Sequence, residues 1–382
     1  MSKYTILIYD EKNPRSFTYN LTKYFNLILL SGKYLNTLNT LRNKIAFLTK
    51  IIKHYKIKLI HFHGISFENI LALYLASKKC EIPVLATLHT YKLVCPILYY
   101  LNLPETKPCK NPYPQRHCLK CLISYYKLKQ VVPERSSLYR SAGGLLLLEV
   151  YREIYKNLDL IITPSRLLAK ILRSKRIGVK NIIILRNPIR SLFERYRRSQ
   201  RIEPANPQNI GFIGRLEFLK GISIALLVAK KLKSRGIRLY VVGDGAYRDI
   251  VKKWSHIHSN ISYLGFLKGE KLIDFYKKSR IILVPSITHE CFPNVVLEAL
   301  AVGRPIVGFA LGGVKEIVEE SGAGLLARPI DIINFEEHIN KLLEDQKLWW
   351  KLVLKGKIWI QNNIPSTKTY TQHLIKMYEM LM

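Results

Sequence analysis

Short apolar runs and amphipathic stretches alternate along most of the chain. Residues Tyr4–Tyr9 form an apolar run of strand length, and Leu27–Leu30 is a second. Leu41, Ile45, Leu48 and Ile52 then recur at helical spacing. Lys58–Phe62 predicts a strand ending at His63-Gly64, Glu68–Lys79 a helix, and Val84–Leu88 a strand ending at His89. Leu158–Thr163 and Asn181–Leu185 are further strands. A second series follows, with strands Asn209–Ile213, Arg238–Val242, Ile281–Pro285 and Pro305–Phe309 and helices Ile222–Leu232 and Asn294–Ala301. Continuously apolar strands separated by helices predict parallel sheets covered on both faces.

The polar, Arg-rich segment 191–208, with Pro204 and Pro207, interrupts this rhythm and predicts a linker. It divides residues 1–190 from residues 209–365, each expected to be a doubly wound, Rossmann-like α/β domain. The last residues, 366–382, predict a helix packing back on the N-terminal domain. A length of 382 residues exceeds what one core usually supports, which agrees with two domains. Ligands of open α/β sheets bind beyond the strand C-termini, so the two domains are expected to face a central cleft.

Composition leaves ample material to bury, at 48% apolar residues, and excludes a disordered chain. Charge is the unusual feature: 61 Lys and Arg against 27 Asp and Glu give +34. Such an excess attracts polyanions, anionic lipid or phosphorylated small molecules. No apolar run reaches the roughly 18 residues of a membrane span. The opening MSKYTILIYDEK reads as a first strand ended by Asp10 and Glu11, not a secretion signal. A cytoplasmic protein, resting peripherally on the cytoplasmic face of the membrane, is the expectation.

The stretch Ser286–Val307 carries the most chemistry. Glu290 falls in a loop after a strand, Phe292-Pro293-Asn294 makes a turn, and Asn294 is placed to cap a helix that begins at Val295. Glu298 then lies about one turn inside. A helix N-terminus binds phosphate, and Glu298 near it can accept two hydrogen bonds from a ribose diol. Both glutamates could instead merely complement the helix dipole. Gly211 to Arg215 reads as a strand turning at Gly214 into Arg215, with Lys220-Gly221 following; Arg215 and Lys220 are spaced to meet two oxygens of one diphosphate.

These residues resemble the nucleotide-sugar domain of family 4 retaining glycosyltransferases (glycosyl transferases group 1) of the GT-B fold. The likeness rests on Gly214-Arg215 with Lys220-Gly221, Val242-Gly243-Asp244-Gly245, Leu264-Gly265-Phe266, the span Glu290 to Glu298, Gly303-Arg304-Pro305-Ile306, and Gly312-Gly313 with Glu316. The resemblance implies that Arg215 and Lys220 hold the donor diphosphate and stabilise the leaving group, so no catalytic metal is expected. It implies that Glu290 contacts the transferred sugar, that Glu298 binds the ribose, and that Gly214, Phe292, Pro293, Asn294 and Val295 line the donor site. His89 matches the family's histidine that faces the sugar, with Thr90 where an Asp often follows. Cys291 stands where many members carry glycine. His63 is kept as a cleft residue only. The family's glycine-rich loop after the first strand is replaced by Asp10-Glu11-Lys12-Asn13-Pro14-Arg15, which sets the acceptor side apart.

Cys95, Cys109, Cys118 and Cys121 form an insertion spanning residues 95–121, with a CxxC at its end. A structural zinc fits this spacing; an iron–sulfur cluster, disulfides and thiols are the other readings. Basic residues concentrate around it and beyond it. Between Thr106 and Arg140 there are eight Lys or Arg and one acid, Glu134, and between Arg166 and Arg201 twelve and one, Glu194. Interleaved with Tyr, Leu and Ile, they suit an anionic membrane surface and hence a lipid-linked or other glycan acceptor. A sugar-nucleotide epimerase or a polysaccharide synthase of the same build is the alternative, and a nucleic-acid-binding protein a distant one. No nucleic-acid-binding motif accompanies the charge, so no nucleic-acid partner is expected.

Overall fold

A computed structural model describes residues 4–10, 21–63, 67–91, 93–95, 97, 100–102, 107–109, 115–128, 134–174, 177–199, 202 and 209–382. The loop read from Asp10 to Arg15 lies outside these residues except for Asp10, as does most of the proline-bearing part of the segment 191–208. The chain divides into two compact units: residues 1–98, 111–186 and 368–382, and residues 99–110 and 187–367.

In the first unit β1 (Thr5–Asp10) and β2 (Asn26–Ser31) are followed by a short α1 (Gly32–Leu35) and by α2 (Leu41–His54). Then come β3 (Ile57–His63), α3 (Phe67–Cys80) and β4 (Val84–Thr87). A two-stranded antiparallel ribbon, β5 (Leu101–Asn102) with β6 (Lys107–Pro108), interrupts the alternation and belongs to the second unit. The chain continues through α4 (Gln115–Leu128), α5 (Glu134–Lys156), β7 (Leu160–Thr163), α6 (Arg166–Arg173) and β8 (Ile182–Ile184). The six main strands are parallel, in the order β2-β1-β3-β4-β7-β8. Strands buried on both faces, such as β4 and β7, have no polar face to offer water and read as unbroken apolar runs.

The second unit opens with α7 (Ser191–Arg198) and runs β9 (Asn209–Ile213), α8 (Ile222–Lys231), β10 (Arg238–Val242), α9 (Arg248–Ile257), β11 (Ile261–Tyr263), α10 (Gly269–Lys278) and β12 (Ile281–Val284). It continues with α11 (Asn294–Val302), β13 (Ile306–Phe309), α12 (Gly312–Ser321), β14 (Gly324–Ala327), α13 (Ile332–Glu344) and α14 (Gln346–Asn363). Its parallel sheet has the order β11-β10-β9-β12-β13-β14. The order reverses between β9 and β12, and ligands of such open sheets bind beyond the strand C-termini at that point.

Two segments depart from the sequence reading. The first eight residues assigned to a linker form α7, because Phe193 is fully buried against α10 and α11 and the Arg-rich face finds partners. Arg197 is buried, paired with Glu194 at 2.7 Å, and donates to the carbonyl oxygens of Gln361 and Ile364. Polarity alone concealed a packed helix. The other is part of the cysteine insertion, where residues 99–110 group with the second unit rather than the first.

The terminal helix α15 (Thr367–Leu381) closes one face of the first unit's sheet. Its Leu374, Met377 and Tyr378 sit in a core with Ile6, Ile8, Phe25 and Leu59. Burying each such side chain contributes roughly 1.5–3 kcal/mol, which is why so polar a terminal segment is held in place.

Candidate active site

The loops after β9 and β12 are locked together. Gly221 follows the short turn Phe218–Lys220 with φ of 74°, and a Cβ there would stand 1.9 Å from the carbonyl oxygen of Pro285. Only glycine allows that approach. The Ile287 N–H donates to Leu219 O at 3.1 Å across the same junction. The outcome is that Lys220 Nζ lies 2.6 Å from Glu290 Oε2, while Ser286 Oγ donates to Glu290 Oε1 at 2.5 Å. Both members of the ion pair are partly exposed, so an anion can reach them from solvent.

Behind Glu290 stands the start of α12. The Gly313 N–H donates to Glu290 O at 2.6 Å. A Cβ on Gly313 would meet Cys291 O at 2.3 Å. The pair of glycines therefore brings a helix N-terminus against the 289–291 backbone. Cys291 is buried beside them. The His289 ring packs edge-on to Tyr100, with centroids 4.8 Å apart, and burial lowers its pKa to about 4.

Helix α11 begins at Asn294, and the cap is Pro293 without a side-chain cap bond. Asn294 was expected to be that cap; the extended φ, ψ of Pro293 shifts the start by one residue. Phe292 and Pro293 are buried, Val295 is half-buried and Asn294 is exposed. Glu298 is buried, at 4% exposure, which the dipole explanation alone does not require. Arg190 Nε meets its Oε1 at 2.7 Å, and the Tyr276 hydroxyl donates to its Oε2 at 2.8 Å. Burial pushes the Glu298 carboxyl up, and Arg190 and Tyr276 pull it back. Burial and the adjacent Glu298 push the Tyr276 phenol well above its ordinary value.

Arg304 reaches this site indirectly. Its fully buried guanidinium donates to the carbonyl oxygens of Tyr276 and Lys277 at 3.0 Å each, fixing the end of α10 that carries Tyr276. Arg190, Tyr276 and Ser286 were not singled out from the sequence. Arg190 was hidden at the edge of the presumed linker. Tyr276 and Ser286 have no local signature, since their partners are 22 and 4 residues away and meet through tertiary packing.

Arg215 and Lys220 engage different glutamates. Arg215 is exposed, and its Nη1 is 2.9 Å from Glu217 Oε1. Both follow β9, but Arg215 pairs with Glu217 and Lys220 with Glu290.

In the first unit His89 follows β4 and stacks on His63, with centroids 6.0 Å apart at an interplanar angle of 12°. His63 is buried and lies 4.2 Å, centroid to centroid, from His61. Among the described residues no three His, Cys, Asp or Glu side chains gather to hold an ion; Cys95, Cys118 and Cys121 are buried and Cys109 is half-buried.

Two family models cover nearly the whole chain. One, described as Glycosyl transferases group 1, matches residues 194–359, and the other, Glycosyltransferase Family 4, matches residues 22–191. The chain belongs to this glycosyltransferase family. Among curated relatives of this glycosyltransferase, an uncharacterized glycosyltransferase of Methanocaldococcus jannaschii is 30% identical over 138 residues, 35% of each chain. A D-inositol 3-phosphate glycosyltransferase of Corynebacterium urealyticum is 32% identical over 154 residues, covering 37% of this chain and 36% of that protein. The matched segments thus span little more than a third of those relatives. Among solved structures, sucrose-phosphate synthase from Thermosynechococcus elongatus superposes with a TM-score of 0.70 at 18% identity, covering 99% of both chains. Anabaena HepE in complex with UDP does so with a TM-score of 0.65 at 15% identity, covering 99% of this chain and 100% of that one. These likenesses establish the GT-B fold.

Proposed function

We propose that this glycosyltransferase moves a sugar from a nucleoside-diphosphate donor to a glycan acceptor, with retention at the anomeric carbon. One observation carries the reading: the Lys220–Glu290 ion pair, at 2.6 Å, stands beyond the ends of β9 and β12 where the sheet order reverses. The donor diphosphate takes Lys220 as its counter-charge, together with Arg215 from the same loop. Glu290, released from Lys220, faces the transferred sugar, and Glu298 receives the ribose. The bond from the anomeric carbon to the phosphate oxygen breaks, and the acceptor hydroxyl oxygen forms its bond to the same carbon. The hydroxyl proton passes to the departing diphosphate. Preorganised cations at the developing phosphate charge are usually the largest contribution to such a step. Because Lys220 and Arg215 supply that charge, turnover should persist in chelator.

Binding of UDP by the Anabaena neighbour supports a nucleotide donor. The test is a thermal-shift and hydrolysis screen of nucleotide-sugars, with duplex DNA as the control and the anomeric configuration of the product read by NMR. Stabilisation by duplex DNA and by no nucleotide-sugar would sink the reading; an inverted product would sink only the stereochemistry.

For the acceptor we propose a lipid-linked glycan at an anionic membrane surface. The net charge of +34 and the exposed Leu146 and Leu147 on α5 support it, and no helix among the described residues is long and apolar enough to cross a membrane. Each basic residue near such a surface contributes about 1 kcal/mol. Equal flotation with anionic and neutral liposomes would count against it.

A further inference from the structure

The Glu298 carboxylate is held on both oxygens from the protein side. Arg190 Nε donates to Oε1 at 2.7 Å and the Tyr276 hydroxyl to Oε2 at 2.8 Å. An ionised carboxylate has about four lone-pair sites, two on each oxygen. One donor per oxygen leaves one acceptor position on each, and a vicinal diol offers two hydroxyl donors. If Arg190 were replaced by an apolar residue, burial would favour the protonated carboxyl. One oxygen would then carry a proton and lose an acceptor position.

We infer that Arg190 is a positioning residue for donor binding: it keeps the Glu298 carboxylate charged and oriented so that both oxygens accept from the ribose diol. This rests on the proposed ribose role of Glu298. Arg190 is suited to the task by its own surroundings. It precedes α7, its guanidinium carbon lies 5.4 Å from the centre of the fully buried Phe193 ring, and its side chain is half exposed. A cation that keeps contact with water is charged at little cost, and a buried carboxylate beside it inherits the advantage. The groups facing Glu298 are Arg190 from the start of α7 and Tyr276 from α10. Tyr276 is a neutral phenol across the physiological range, since burial raises it first and Glu298 next. Arg190 is thus the cation that pairs with this carboxyl.

The experiment measures, by calorimetry on the full chain, the preference for a ribonucleoside diphosphate over its 2′-deoxy counterpart. The nucleotide is whichever of UDP, ADP and GDP binds the parent most tightly. Parent, Arg190→Leu, Arg190→Gln, Arg190→Lys and Glu298→Ala are compared at a lower and a higher pH, because a buried carboxyl without its cation titrates above its ordinary range. The parent should prefer the ribonucleotide by about tenfold at both values. Arg190→Leu and Arg190→Gln should keep part of that preference at the higher pH and lose it at the lower. Arg190→Lys should restore most of it, since a point charge replaces the fork. A preference unchanged in Arg190→Leu and Arg190→Gln overturns the inference. So does a preference lost equally at both pH values, because the residue would then be scaffold alone. If Glu298→Ala retains the parent preference, the ribose role itself fails, and that outcome is separable from the others.

Discussion

Lys220 Nζ and Glu290 Oε2 lie 2.6 Å apart although 70 residues separate them in the chain. In the proposed mechanism a nucleoside diphosphate competes with Glu290 for Lys220, and so the two residues should respond oppositely to mutation. Lys220→Met should lower UDP affinity by roughly tenfold to a hundredfold, the value of a charge-assisted hydrogen bond. Glu290→Gln should leave nucleotide affinity equal or higher while turnover with the nucleotide-sugar falls. Calorimetry and steady-state kinetics on both variants check this; a parallel loss of affinity in both contradicts it.

The Tyr276–Glu298 bond should also be visible in stability. Tyr276→Phe removes a donor from a buried carboxylate, and Glu298→Ala leaves a buried hydroxyl unsatisfied; each should cost about 1–3 kcal/mol. The double variant should cost clearly less than the sum, since neither partner is then left stranded. Denaturant midpoints of the three proteins decide it. Simple additivity would mean that the bond observed at 2.8 Å carries no energy.

Two glycines of similar backbone conformation should behave differently. Gly221 has φ of 74° and its Cβ would meet Pro285 O at 1.9 Å, whereas Gly265 has φ of 69° and nothing within 4 Å of a Cβ. Gly265→Ala should carry only the left-handed strain, about 1–2 kcal/mol. Gly221→Ala must in addition part the β9 and β12 loops and so separate Lys220 from Glu290. A larger drop in thermal midpoint, with loss of nucleotide binding, is expected for Gly221→Ala alone. Equal behaviour of the two would show that the contact with Pro285 is not limiting.

Acid should destabilise the protein before its carboxylates titrate. His61 is fully buried and neutral, bonded through Nδ1 to the Tyr378 hydroxyl at 2.6 Å and through Nε2 to Thr87 Oγ1 at 2.7 Å. Burial, with His89 as the second cause, lowers its pKa from 6.5 to about 3. His63 lies well below the same ordinary value, through burial and then through His61 and His89, and His289 is near 4. Between 6.5 and those lowered values the unfolded chain binds protons that the folded chain does not. Stability therefore falls as pH drops below about 6.5, by up to about 1.4 kcal/mol per pH unit for each such histidine. Urea midpoints measured between pH 7 and pH 4 check the slope, and His61→Gln should flatten it. A stability that is level over that range would refute it.

Much of the architecture was legible without coordinates. Unbroken apolar runs such as those at Ile281–Val284 and Ile306–Phe309 can only be strands covered on both faces, and their alternation with amphipathic stretches dictates parallel, doubly wound sheets. The stretch from Glu290 to Glu298 and the turn carrying Lys220 were legible too, because helix starts and glycine turns have local chemistry. Arg190 was not, since an arginine before a polar segment looks like any solvated residue until Phe193 is seen to be buried.

The sequence by itself determined which segments become strands and helices, since hydrophobic period and turn chemistry act over a few residues. Tertiary structure alone decided the partners: Lys220 with Glu290, and Glu298 between Arg190 and Tyr276. Those contacts join residues far apart in the chain, and only the order of strands in the sheet brings their loops within hydrogen-bonding reach.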